Sequence, residues 1–194
     1  FFFEFADLPV GKRILASLFQ SVTPRTAGFN TVNLTAISDT GLYLMIILML
    51  IGGSPGSTAG GMKTTTIAVL FSSAFSVFRK RDNAELVKRR IDDETVKTAS
   101  AIFVMYITLF LFGGMAISAI ENLPMTSCLY ETASAVGTVG LTLGITPTLG
   151  IASKIILIFS MFFGRVGGLT LIYAAFGANK KQAAKLPTDT IAVG

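Results

Sequence analysis

Residues 98–120 (TASAIFVMYITLFLFGGMAISAI) carry no charge at all. At about 1.5 Å per residue, a helix of this length crosses the roughly 30 Å hydrocarbon layer of a bilayer. Residues 40–78 are equally apolar, with Lys63 their one charge, but they are too long for a single straight span. Their centre reads Gly52-Gly53-Ser54-Pro55-Gly56-Ser57-Thr58-Ala59-Gly60-Gly61, and proline with clustered glycine opposes a regular helix. The pattern therefore predicts two half-helices, about 40–51 and 64–78, joined by a break at membrane depth. Lipid tolerates such a break only when protein buries it or it lines a water-filled cavity. A further span is predicted over 148–178, with Lys154 near its start and Arg165 near its middle, and residues 1–10 read as the outer end of an earlier one. Two shorter apolar stretches remain, about 12–24 and 124–137, and neither is long enough to cross.

Charge orients these spans. Seven of the 16 basic residues lie between Arg79 and Lys97. A cluster of this kind in a soluble protein suggests nucleic acid; between two apolar runs it marks a cytoplasmic loop. The loop also holds Asp82, Glu85, Asp92, Asp93 and Glu94 and is expected to be partly helical. Lys180, Lys181 and Lys185 put the C-terminus on the same side. With both ends of each crossing assigned, the two short stretches must enter from outside and return. A surface loop is the alternative that hydropathy alone leaves open.

Composition agrees with membrane residence: 52% of the 194 residues are hydrophobic and 14% charged, against roughly 25% charged in soluble domains. The absence of histidine and the single cysteine, Cys128, exclude an internal disulfide, a Cys/His metal site and a histidine-based triad. No nucleophile–base set supports an enzyme. The chain opens Phe1-Phe2-Phe3-Glu4, without Met or a signal peptide's basic start and cleavage site, and is expected to be part of a longer protein.

An internal repeat links the short stretches to the spans. An offset of 112 lays Thr26-Ala27-Gly28-Phe29-Asn30 on Thr138-Val139-Gly140-Leu141-Thr142, Gly52 on Gly164, and the apolar run 42–51 on 154–163. The predicted unit is membrane helix, pore helix with a Thr-x-Gly turn, membrane helix. The fold class is thus an all-α membrane protein of tandem helix–pore-loop–helix repeats, one over 1–97 and one over 98–194. A dehydrated cation needs a cage of oxygens, which backbone carbonyls supply when successive residues turn them inward. That requires residues at positive φ, where glycine is at ease. Each segment keeps one glycine of the Thr-Val-Gly-Tyr-Gly filter of potassium channels, so fewer ion sites and weaker rejection of sodium are expected. The bland alternative is that Gly28 and Gly140 end short helices.

The glycine-rich break has rivals of its own. Gly56-x4-Gly61-Met62-Lys63-Thr64 approaches a phosphate-binding loop, but Met62 is one residue too many and no strand–helix alternation surrounds it. Gly52, Gly56 and Gly60 have the small-xxx-small spacing of helix packing, against which Pro55 argues. Arg25 is either the partner of an acidic group such as Glu131 or a snorkelling surface cation.

Ser21-Val22-Thr23-Pro24-Arg25-Thr26-Ala27-Gly28-Phe29-Asn30 and Gly52 through Met62-Lys63-Thr64 strongly resemble the superfamily of potassium transporters that contains TrkH, KtrB and the fungal and plant Trk/HKT proteins, above all the bacterial KtrB branch. The resemblance covers nearly the whole chain. It implies four units around one pore, of which these are the third and fourth. It puts the filter glycines at Gly28 and Gly140, and an intramembrane loop that obstructs the pore at about Gly52–Lys63, faced by Arg165. It also implies potassium as the transported ion, sodium as an activating ion, a homodimer in the cell membrane, and a cytosolic nucleotide-binding regulatory ring (KtrA-like). Physically, Lys63 and Arg165 are costly in lipid, and a cation under a cation filter raises the barrier to a passing ion unless loop carbonyls engage it. A gate held partly by Arg165 is the expectation. A non-transporting assembly subunit that retains the pore fold is the alternative. The tail 186–194 is either a loose end or a subunit contact.

Overall fold

The computed structural model describes residues 4–81, 83–86 and 89–166. The chain runs α1 (Val10–Val22), a 3-10 turn (Leu34–Ala36), α2 (Asp39–Leu50), α3 (Thr64–Phe78), a hairpin of β1 (Glu85–Leu86) and β2 (Arg89–Arg90), α4 (Asp93–Glu121), α5 (Met125–Val136), a second 3-10 turn (Thr146–Thr148) and α6 (Ile151–Val166).

Local chemistry explains most boundaries. Ser38 caps α2 by accepting from the Gly41 amide at 3.2 Å, and the helix stops where Gly52-Gly53 would continue it. Asp93 and Glu94 stand in the first turn of α4, where the helix dipole favours negative charge. Asn122 ends that helix at φ 53°, a left-handed conformation Asn tolerates, and Pro124 then opens α5. Among the described residues α4 is the one helix long and apolar enough to cross a membrane; α2 and α3 are apolar but shorter. The half-helices at 39–50 and 64–78 lie within a residue of the bounds expected from the pattern. The segment between them is not helical, which removes the small-xxx-small packing reading of Gly52, Gly56 and Gly60. The basic loop is a short antiparallel hairpin, Glu85 opposite Arg90, before the helix begins at Asp93. Residues 4–8 form turns rather than the end of a helix. The last part of the span expected over 148–178, and the tail 186–194, lie outside the described residues.

Helix α5 is the axis of the structure. Every residue from Tyr130 to Val136 is buried. On one side Tyr130, Ala133 and Val136 pack with Met45 and Met49 of α2 and Tyr106 and Phe110 of α4. On the other, Cys128 and Ala135 meet Ile117 and Leu157. The outer surface is apolar: Leu15 and Leu18 on α1, Phe75 and Phe78 on α3, Ile151 and Ile158 on α6 are all exposed. Continuous apolar surface of this kind marks contact with lipid or with further protein.

Several features recur at one spacing. Thr26 and Thr138 (138 − 26 = 112) both have positive φ, at 66° and 51°. Gly28 and Gly140 do too, at 74° and 89°. The same spacing separates the 3-10 turns at Leu34 and Thr146, and the first residues of α2 and α6, Asp39 and Ile151. The halves part company after that: α2 stops at Leu50, whereas α6 continues through Gly164, the counterpart of Gly52.

Candidate functional site

The two Thr-x-Gly segments follow the C-termini of the two short helices, α1 and α5. In each, two residues of positive φ flank one that is not. This alternation turns successive carbonyls in a way that ordinary L-residues resist. The segments meet. Thr26 Oγ1 donates to the Gly137 carbonyl at 3.3 Å, and Gly28 lies so close to the Val139 carbonyl that a Cβ there would overlap it. Gly140, by contrast, has open space on its Cα face. Val139 and Leu141 are buried, while Ala27, Phe29, Asn30, Gly140 and Thr142 are exposed. Thr23 Oγ1 donates to the Phe29 carbonyl at 2.5 Å, and Asn30 Oδ1 accepts from the Val32 amide at 3.2 Å. The Thr138 hydroxyl is buried with no hydrogen-bond partner among the described residues.

The glycine-rich segment folds into a loop with buried feet and an exposed tip. Gly52 N donates to the Met62 carbonyl at 2.7 Å and Met62 N to the Leu50 carbonyl at 3.0 Å, which closes its base. Gly52, Gly60, Gly61 and Met62 are buried; Ser54, Pro55, Gly56, Ser57 and Thr58 are exposed. Gly53 packs on Ser57 and Ala59. One foot touches the Thr-x-Gly segment directly, since a Cβ on Gly60 would overlap the Thr138 hydroxyl. The tip is held by cations: Lys63 Nζ donates to the carbonyls of Ser57 (3.2 Å) and Ala59 (2.7 Å), and Arg165 Nη1 to that of Thr58 (2.7 Å). Three consecutive carbonyls are thus taken by two cationic side chains, neither of which forms an ion pair among the described residues. Charge-assisted bonds of this kind are about twice as strong as neutral ones.

Some residues of the site gave little sign of themselves in the sequence. Gly164 is a junction: its carbonyl accepts from Gly61 N and from the Tyr106 hydroxyl, each at 3.3 Å, and its Cα is pressed on the Val136 carbonyl. Glu131, on α5, does not pair with Arg25, which is exposed. Its carboxylate accepts instead from Thr142 Oγ1 (2.6 Å), Leu143 N (2.9 Å) and Thr146 Oγ1 (2.6 Å). The available signal was a lone acidic residue in the otherwise uncharged stretch 124–137, a position where charge in a membrane protein marks function. Glu131, Thr138, Gly140, Thr142 and Arg165 line one cavity of about 690 Å³.

Comparison with known proteins gives this geometry a family. The model of the TrkH family, described as cation transport protein, matches residues 4–182. The potassium/sodium uptake protein NtpJ of Enterococcus hirae is 39% identical over 94% of this chain and 42% of its own length. The Ktr system potassium uptake protein B of Bacillus subtilis is 35% identical, over 96% of this chain and 42% of its own. The crystal structure of the potassium transporter TrkH from Vibrio parahaemolyticus superposes with a TM-score of 0.70 at 25% identity, over 86% of this chain and 38% of that one. The chain spans about two-fifths of the length of the curated relatives it matches. These relatives are ion transporters rather than enzymes. The chain belongs to the TrkH family of cation transport proteins.

Proposed function

We propose that this chain supplies the third and fourth pore units of a potassium-translocating subunit of the cell membrane. The observation that carries the reading is the pair of Thr-x-Gly segments with matched positive φ, 112 positions apart and in mutual contact. Residues 26–30 and 138–142 act as two of four filter strands, whose backbone carbonyls replace the water around K⁺. The Thr138 hydroxyl, unpartnered among the described residues, adds an oxygen at the inner end. The share of each relative that is matched, about two-fifths, accords with two units of four. The names of those relatives, potassium/sodium uptake for one and potassium uptake for the other, support potassium as cargo, and sodium is proposed as an activating ion.

The loop Gly52–Lys63 is the gate. Its foot abuts Thr138 and its tip is tied back by Lys63 and Arg165, so an ion leaving the filter meets an obstruction held by two cations. The exposed apolar faces of α1, α3 and α6 meet lipid, the first two units or a second copy of the subunit. The basic loop 79–97 lies on the cytoplasmic side, where a nucleotide-binding ring would engage it.

The test is Gly140→Ser in the full-length protein, with potassium and sodium uptake measured in cells lacking their own potassium uptake. A lowered preference for potassium is expected. Uptake indifferent to the change would favour an assembly subunit that only retains the pore fold.

A further inference from the structure

The second Thr-x-Gly segment is held in a different way from the first. Gly28 is wedged against the Val139 carbonyl, and Thr23 ties the following carbonyl of Phe29. Gly140 and Gly144 both have positive φ, at 89° and 92°, and among the described residues nothing lies within 4 Å of a Cβ on either. Sterics alone therefore do not set the path from Gly140 to Gly144. What crosses that gap is the carboxylate of Glu131. It is 4% exposed, and its two oxygens accept from Thr142 Oγ1, Leu143 N and Thr146 Oγ1. Thr142 Oγ1 in turn accepts from Gly144 N at 2.9 Å and meets Thr146 Oγ1 at 3.1 Å. One buried side chain thus fixes both the exit of the segment and the turn after it.

All three donors are neutral, and no cation forms an ion pair with Glu131 among the described residues. The carboxylate lines a cavity with Thr138, Gly140 and Thr142, and the one cation of that lining, Arg165, is engaged with the Thr58 carbonyl. The repeat places Phe19 at the equivalent position of the first unit, so the device belongs to the second alone.

We propose that Glu131 is the positioning residue of the fourth filter strand, setting its selectivity through the Thr142–Leu143–Thr146 tether and its potassium affinity through its charge. The proposal rests on the filter reading given above. The two contributions separate by substitution. A glutamine in place of Glu131 would keep an acceptor for Thr142 and Leu143 and turn a donor toward the Thr146 hydroxyl. Glu131→Gln therefore removes charge and spares the tether. Glu131→Ala removes both. Thr142→Val removes a link of the tether and keeps the charge.

The experiment is concentration-dependent uptake of K⁺ and Na⁺ by the full-length protein carrying each substitution, normalised to the amount in the membrane, with Gly140→Ser alongside. Glu131→Gln should raise KM for K⁺ about threefold to tenfold, with Vmax and ion preference kept. Glu131→Ala and Thr142→Val should each lower the K⁺/Na⁺ preference several-fold. A purely structural role would reduce protein amount and Vmax together and leave KM and ion preference untouched, and that result overturns the proposal. If Glu131→Ala fails to accumulate, Glu131→Gln and Thr142→Val decide the matter. Altered preference in Gly140→Ser with none in the Glu131 or Thr142 variants defeats this inference alone; unaltered preference in Gly140→Ser defeats the filter reading beneath it.

Discussion

Arg165 reaches across 107 positions to donate a 2.7 Å hydrogen bond to the carbonyl of Thr58. The bond joins α6 to the exposed tip of the loop that separates α2 from α3. Lys63 ties the neighbouring carbonyls but belongs to the loop's own end, so it can travel with the loop. Arg165 ties the tip of the loop to a separate element, as the bond from Gly61 N to the Gly164 carbonyl ties its foot.

Cutting that tie should favour the open loop. A hydrogen bond to a charged group contributes about 1.5–3 kcal/mol, which is roughly a tenfold or greater shift between tied and released loop. Arg165→Ala in the full-length protein should therefore raise the maximal rate of potassium uptake. Arg165→Lys, which keeps the charge and loses the guanidinium's reach and geometry, should fall between. Unchanged uptake kinetics in Arg165→Ala would remove the arginine from any gating role.

Gly164 tests how tightly α6 is joined to the end of α5 and the foot of the loop. A Cβ there would overlap the backbone of Val136, carbonyl and Cα included, and backbone cannot swing aside as a side chain can. Gly164→Ala must push α6 away from the end of α5 and strain the bonds from Gly61 and Tyr106. Overpacking of this kind costs about 1–3 kcal/mol, so the purified protein should melt at a lower temperature. Gly56→Ala is the comparison: no described residue lies within 4 Å of a Cβ there, and its φ of 87° is what resists. It should be the milder of the two, and equal melting temperatures would show that α6 gives way freely.

These two sites differ in how plainly the sequence announced them. The loop was legible because glycine and proline act through the local backbone: Gly52-Gly53 and Pro55 stop a helix whatever surrounds them, and the helices end at Leu50 and resume at Thr64. Arg165 was legible as a charge in an apolar run. The tightness of Gly164 was not, because it depends on which backbone lies opposite, and nothing near Gly164 in the chain specifies Val136. Glu131 was visible as a charge but its partner was not. Attraction between opposite charges suggested Arg25, whereas Glu131 is filled by two threonines and an amide that follow it by 11 to 15 positions. The 112-residue correspondence is faint in residue identity; in the backbone Thr26 and Thr138, and Gly28 and Gly140, share positive φ although their neighbours differ.

A last prediction comes from a device used in both halves. Glu121, at the end of α4, accepts from Gly150 N (2.8 Å) and Ser153 Oγ (2.6 Å) at the start of α6. Glu4 does the same for the start of α2, accepting from the amide (3.1 Å) and hydroxyl of Ser38. Ser38 and Gly150 stand 112 positions apart (150 − 38), each just before the helix that follows a Thr-x-Gly segment. Each carboxylate fills the open amides of a helix N-terminus, where negative charge is favoured. Glu121→Ala, which removes the acceptor, should lower the melting temperature of the full-length protein. Ser153→Ala should then cost less in the Glu121→Ala background than in the parent, because the pair shares one hydrogen bond. Glu4→Ala and Glu121→Ala, which touch different helices, should instead add. Additive losses for Glu121 and Ser153 would mean that the carboxylate acts only through its charge on the helix end, and that the serine is not part of the clamp.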